Sequence, residues 1–186
     1  MKVGRGNLNI PTSNQKSFLL EDELQAIRLW LDKMEQYSYQ STDRIVRKAK
    51  KILGLKYPVI GYGVFRIVFD LNNGYVLKVA ISRQGQKCNE NEVEIYKECP
   101  RHLRKHLCLV KEYGHGWIIM KKMTQQVSMN DRNQRKKISE LSDKFWESGI
   151  RPRDIKSDNL ALSNEGDIIF IDYGNFNRSI RNDFFW

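Results

Sequence analysis

The sequence predicts an α+β fold built on a mainly antiparallel sheet, and three observations carry that expectation. Apolar residues recur at helical steps near the start of the chain and again in its last third. The stretch between changes to short β-branched and aromatic runs punctuated by Asn-Gly and Gly-rich turns. Helices come before and after these strands instead of alternating with them, which is the order of an α+β chain and not of repeated βαβ units.

Each element follows from its own residues. Residues 1–18 are polar and read as a mobile tail. Leu20, Leu24, Ile27, Leu31 and Met34 step by four and three, predicting a helix over about Leu19–Gln36. Glu21, Asp22 and Glu23 crowd its first turn, where the helix dipole favours negative charge. Ser41-Thr42-Asp43 offers an N-cap for a second helix that ends at Leu53 before Gly54, with Ile45, Ala49, Ile52 and Leu53 on its apolar side. Val59–Phe69 and Tyr75–Ile81 read as strands joined at Asn72-Asn73-Gly74, since Asn-Gly tolerates positive φ. Glu90–Cys99 is helical in pattern and stopped by Pro100. Leu107–Tyr113 and Trp117–Met123 are two more strands around Gly114-His115-Gly116. A helix spans about Asn130–Ser148 on Ile138, Leu141 and Phe145, and Leu160–Ser163 with Asp167–Asp172 forms a closing hairpin.

At 186 residues with 40% hydrophobic content, the chain has enough apolar material for one compact domain with a helical extension. No apolar run reaches the roughly 18 residues a membrane span needs, and Met1–Asn7 lacks the apolar stretch of a signal peptide. Three cysteines without a CxxC pair argue against a disulfide framework, so the expected compartment is cytoplasmic, with no membrane partner. The net charge of +10 favours acidic partners without choosing among them.

Polar residues stand out against this scaffold. Gly61-Tyr62-Gly63 lies in the first hairpin, where glycine permits close approach of a phosphate; alone, a plain turn is the better reading. Lys78 interrupts the apolar strand Tyr75–Ala80, where it must snorkel or meet an anion. Pro152-Arg153-Asp154-Ile155-Lys156-Ser157-Asp158-Asn159 is a polar segment between a helix and a strand, and Asp172-Tyr173-Gly174 follows an apolar strand.

In that order, Gly61/Gly63, Lys78, Asp154-x-Lys156-x-x-Asn159 and Asp172-Tyr173-Gly174 resemble the signature set of the protein kinase superfamily, over about Pro58–Phe176. The resemblance implies a kinase-like division of the chain: an extension over 1–55, an antiparallel sheet with one helix over 56–123, and a much reduced second lobe over 124–186. It implies ATP and Mg²⁺ as cofactors and a hydroxyl on an acceptor protein as substrate. Lys78 would hold phosphates, with Glu92 as its first-choice partner and Glu94 as the second. Asn159 and Asp172 would ligate the metal, Asp154 would take the acceptor proton, and Lys156 would stabilise charge on the transferred group. Met120 would back the adenine pocket, followed by a hinge at Lys121-Lys122-Met123.

Four positions depart from the family pattern. Arg66 replaces the third glycine of the phosphate loop and is expected to touch phosphate itself. Pro152 stands in place of the catalytic-loop histidine, and Lys121 in place of the hinge glutamate. Only 12 residues follow Gly174, too few for an activation segment. Two readings follow: an active small phosphotransferase, or a pseudokinase that binds and modulates a partner.

Other patterns compete. Cys99, His102, His106 and Cys108 are zinc-compatible residue types, although a plain connector is the preferred account. Arg44, Arg47, Lys48, Lys50 and Lys51 line the second helix opposite its apolar stripe, as a solvated face or as a nucleic-acid surface over 44–53. In the latter case the chain would be a basic nucleic-acid-binding protein with vestigial kinase motifs. Phe184-Phe185-Trp186 reads as packing, or as an anchor for a partner.

Overall fold

The computed structural model describes residues 17–178. Most of the polar tail and the Phe184-Phe185-Trp186 segment lie outside these residues. Helix α1 runs over Glu21–Met34 and α2 over Thr42–Leu53. Strands β1 (Val59–Tyr62), β2 (Arg66–Asp70) and β3 (Tyr75–Ala80) follow, then α3 (Arg83–Glu98) and the short α4 (Arg101–Arg104). Strands β4 (Val110–Gly114) and β5 (Trp117–Lys121) complete a five-stranded antiparallel sheet of order β1-β2-β3-β5-β4.

Residue alternation gives this sheet two buried faces. Ile67, Phe69, Leu77, Val79 and Ile119 meet α1 and α2. Val76, Ile118 and Met120 face α3 and the remainder of the chain. Helix α1 is anchored by Trp30, wholly buried, whose indole N–H donates to the Ala80 carbonyl at 2.8 Å. The two helices expected as an extension therefore cover the back of the sheet.

The second part of the chain comprises β6 (Gln125–Gln126), α5 (Arg132–Glu147), β7 (Ile150–Arg151), β8 (Leu160–Leu162), β9 (Ile168–Phe170) and β10 (Asn177–Arg178). Asp131 caps α5 by accepting from the Asn133 and Gln134 amides at 2.8 and 3.1 Å. Phe145, Phe170 and Phe176 meet edge-on beneath the β8–β9 hairpin, and Tyr173 joins the cluster tilted against Phe176. That hairpin is tied to the segment before β4: the Cys108 amide donates to the Phe170 carbonyl, and the Phe170 amide to that of His106, both at 2.8 Å.

The structure redraws several expected boundaries. The first helix stops at Met34 and passes into a 3₁₀ turn over Glu35–Tyr37. The single strand expected over Val59–Phe69 is a hairpin, reversed between Gly63 and Arg66, where the Gly63 amide donates to the Arg66 carbonyl. Helix α3 starts seven residues earlier than Glu90, capped by the Ser82 hydroxyl, which accepts from the Gly85 amide at 3.1 Å. The strand expected from Leu107 opens at Val110, and that expected to reach Met123 closes at Lys121. The last strand spans Ile168–Phe170, which leaves Asp172 just beyond it.

Gly85 is needed for α3 to lie this close to the sheet. A Cβ there would fall 2.0 Å from the Phe65 carbonyl oxygen and 3.3 Å from the Ala80 Cα, both backbone atoms. Gly85→Ala is therefore expected to destabilise the fold by about 1–3 kcal/mol, read as a lowered urea midpoint at unchanged slope; an unaltered midpoint would contradict this packing.

Candidate functional site

Lys78 lies on β3 opposite Ile118 of β5, on the face turned towards α3. Its side chain is only 8% exposed, so its charge requires a partner. Glu92 of α3, wholly buried, supplies it: Oε1 lies 3.2 Å from Lys78 Nζ and also accepts the Tyr173 amide at 3.0 Å. Lys78 Nζ donates in addition to the Ile171 carbonyl at 2.7 Å. Of the two glutamates expected as partner, Glu94 is exposed and pairs with Arg178 on the other side of α3.

Arg66 sits differently from its expected place against phosphate. Its guanidinium turns inward from β2, donating to Glu92 Oε2 at 2.7 Å, Asp172 Oδ1 at 2.5 Å and Asn89 Oδ1 at 3.2 Å. The buried carboxylates draw it in, and at 8% exposure its side chain is largely withdrawn from solvent. Burial pushes the Asp172 carboxyl up, but Lys78 and Arg66 together outweigh that and hold it down at about 2.

The residues of the segment 154–159 form a second group. Asn159 Nδ2 donates to the Asp154 carbonyl at 2.7 Å and to its Oδ2 at 2.9 Å, while Lys156 Nζ lies 3.2 Å from the same Oδ2. Asp154 adopts φ +55°, a conformation uncommon outside glycine. The Ile171 amide donates to the Asn159 carbonyl at 3.0 Å. Lys78, Asp154, Asn159 and Asp172, distant in sequence, are thus joined through one chain of contacts centred on Ile171.

A cleft of about 260 Å³ opens beside this network. Gly61, Lys78, Met120, Lys121, Met123 and Asp172 line it, with Val68 and Val76 as an apolar wall. Gly63 is exposed at the turn and is not among the lining residues. Gly174 packs against α3, where a Cβ would lie 2.8 Å from that of Cys88. Sequence reasoning missed three participants. Asp158 lines the cleft beside Asn159, Ile171 contributes through its backbone, and Asn89 brackets Arg66. Only Asp158, a carboxylate within the polar segment, carried any signal in the sequence.

The zinc-compatible residues do not gather. The Cys99 and Cys108 thiols donate to the Pro100 and Lys121 carbonyls, His106 Nδ1 faces the Ile168 carbonyl, and His102 is exposed. Burial pushes the two thiols up to about 11 and 12, away from the thiolate form that binds metal. Among the described residues no group of three or more metal-ligating side chains is assembled, and no helix is long and apolar enough to cross a membrane. Arg44, Arg47, Lys48, Lys50 and Lys51 are all exposed along α2.

A lysine–glutamate pair bridging a five-stranded antiparallel sheet and its helix, above a β hairpin flanked by Asn159 and Asp172, defines a kinase-like fold. Comparison with solved structures agrees. The chain is similar to WbdD in complex with the kinase inhibitor LY294002 (TM-score 0.53, 16% identity, 68% of this chain and 34% of that one). It is similar also to monomeric WbdD (TM-score 0.53, 16% identity, 62% and 33%). A further structure is of the bifunctional kinase-methyltransferase WbdD (TM-score 0.47, 16% identity, 62% and 31%). The chain spans about a third of the length of these proteins. No family model and no curated protein matches the sequence.

Proposed function

We propose that this chain is an ATP- and Mg²⁺-dependent phosphotransferase that acts on a hydroxyl group of a protein. The observation that carries the reading is Lys78, paired with the buried Glu92 and lining a single cleft together with Asp172. Burying two opposite charges costs more than a hydrophobic pair would, and phosphate binding gives that expense a use. The apolar wall of Val68, Val76 and Met120 suits a purine face, with the backbone of Lys121–Met123 alongside.

The donor set fits a hard divalent ion. Asp172 offers a carboxylate, and Asn159, whose amide nitrogen donates to Asp154, keeps its amide oxygen without a hydrogen bond among the described residues. Mg²⁺ at these two residues would supply charge neutralisation on phosphate oxygens. Lys78, held by Glu92, aligns the nucleotide phosphates. Asp154 accepts the proton of the attacking hydroxyl, and its φ +55° conformation together with the Asn159 amide fixes the direction in which its carboxylate is presented. Lys156, paired with Asp154 in the free chain, is placed to stabilise charge on the group being transferred.

A second reading, a pseudokinase that modulates a partner, is favoured by one observation: Arg66 already engages an Asp172 oxygen. Incubation with γ-labelled ATP, Mg²⁺ and an acceptor-protein mixture separates the two. Asp154→Asn is expected to lower label transfer about 10²–10⁴-fold, and Asp172→Asn to lower both transfer and Mg²⁺-dependent nucleotide binding. Equal transfer by wild type and both variants would contradict the proposal, whereas nucleotide binding without transfer by wild type would support the second reading.

A further inference from the structure

We infer that Arg66 is a resident counter-ion for Asp172, competing with a divalent cation for that carboxylate and tilting the site away from metal alone and towards metal-free nucleotide. The inference deepens the phosphotransferase reading and rests on it for the nucleotide, but not for the metal.

Charge counting carries it. Lys78 and Arg66 contribute two positive charges, and Glu92 and Asp172 two negative ones, in a single contact network. The quartet is electrically balanced as folded. With a neutral residue at position 66 the remaining three would carry a net negative charge, which attracts a cation and repels a triphosphate. Arginine stays charged at any accessible pH, so its own contribution to this balance is permanent. Asp172 Oδ1, 2.5 Å from the guanidinium, cannot also hold a divalent ion without bringing two cations into contact.

The guanidinium is deliberately seated. Three groups hold it, and one of them, Asn89, gives Oδ1 to Arg66 while its own Nδ2, buried, has no hydrogen-bond partner among the described residues. A buried amide left half-satisfied carries an energetic cost. The side chain is oriented towards Arg66 in spite of that cost, as expected of a bracket.

The test uses Mn²⁺ alone, followed by electron paramagnetic resonance of the free ion, and separately ATP in the presence of a chelator, followed by calorimetry. Relative to wild type, Arg66→Met is expected to bind Mn²⁺ at least about tenfold more tightly and metal-free ATP at least about tenfold more weakly. Arg66→Lys, which keeps the charge, is expected to stay within about threefold of wild type for Mn²⁺. Asp172→Asn is expected to remove the Mn²⁺ gain in the Arg66→Met background. Opposite movement of the two ligands is the signature, because mere structural damage weakens both. Unchanged or weaker Mn²⁺ binding by Arg66→Met overturns the inference. Should that variant fail to fold, wild type decides: Mn²⁺ alone binding tighter than metal-free ATP overturns it, and the reverse order supports it. Failure of ATP to bind under any condition refutes the phosphotransferase reading, while the Mn²⁺ comparison still decides the role of Arg66.

Discussion

Glu92→Ala is expected to cost the folded chain about 3–5 kcal/mol, among the largest effects available to a single substitution in this protein. Among the described residues, Glu92 alone pairs with both buried cations, with Oε1 on Lys78 and Oε2 on Arg66, and it also accepts the Tyr173 amide. Its removal leaves Lys78 with no ion pair among the described residues and Arg66 with only Asp172 and Asn89, and it strands a buried backbone N–H. Glu92→Gln keeps the shape and an acceptor but not the charge, and should recover only part of the loss. Urea unfolding measures both variants, and a cost under about 1 kcal/mol for alanine would mean that water, not Glu92, satisfies the cations.

Trp30→Ala is expected to be comparably damaging, at about 3–5 kcal/mol. The indole is wholly buried between α1 and the sheet, stacks on Tyr37 with ring centroids 6.1 Å apart, and makes the 2.8 Å hydrogen bond to Ala80. Alanine leaves a large void and an unpaired carbonyl on β3, the strand that carries Lys78. Hydrogen exchange should therefore quicken along Tyr75–Ala80 as well as along α1, and Trp30→Phe should lie between wild type and alanine. Exchange confined to α1 would show that the helices and the sheet unfold independently.

What the sequence made legible was what depends on local pattern. The stripe of α2, its stop at Gly54 in the left-handed region, and the Asn72–Gly74 turn, with φ of +56° at Asn72 and +87° at Gly74, all follow from neighbouring residues. The β1–β2 reversal was only half signalled: Gly63 reads as a turn, but Val64-Phe65-Arg66 contains no turn-forming residue and continues a β-rich run. The first turns of α3 were hidden by the polar run Arg83–Asn89, which has no apolar period, and by Gly85, whose purpose is a contact with Phe65. Amphipathicity marked α1 and α2 as half-buried but could not say what buries them. At the site, Lys78 announced itself as a charge in an apolar strand, whereas the inward turn of Arg66 depends on carboxylates 26 and 106 positions away.

The left-handed backbone at Asp154 has its own consequence for how this loop can be dissected. A residue other than glycine held there stores about 1–3 kcal/mol, and the fastening is the Asn159 amide, which grips both the carbonyl and the carboxylate of Asp154. Once that grip is released, the backbone is free to relax and the carboxylate to swing with it. An experimenter who replaces Asn159 to isolate its proposed metal coordination will therefore unfasten the proposed proton acceptor in the same stroke, and the two contributions are inseparable at that position by substitution alone.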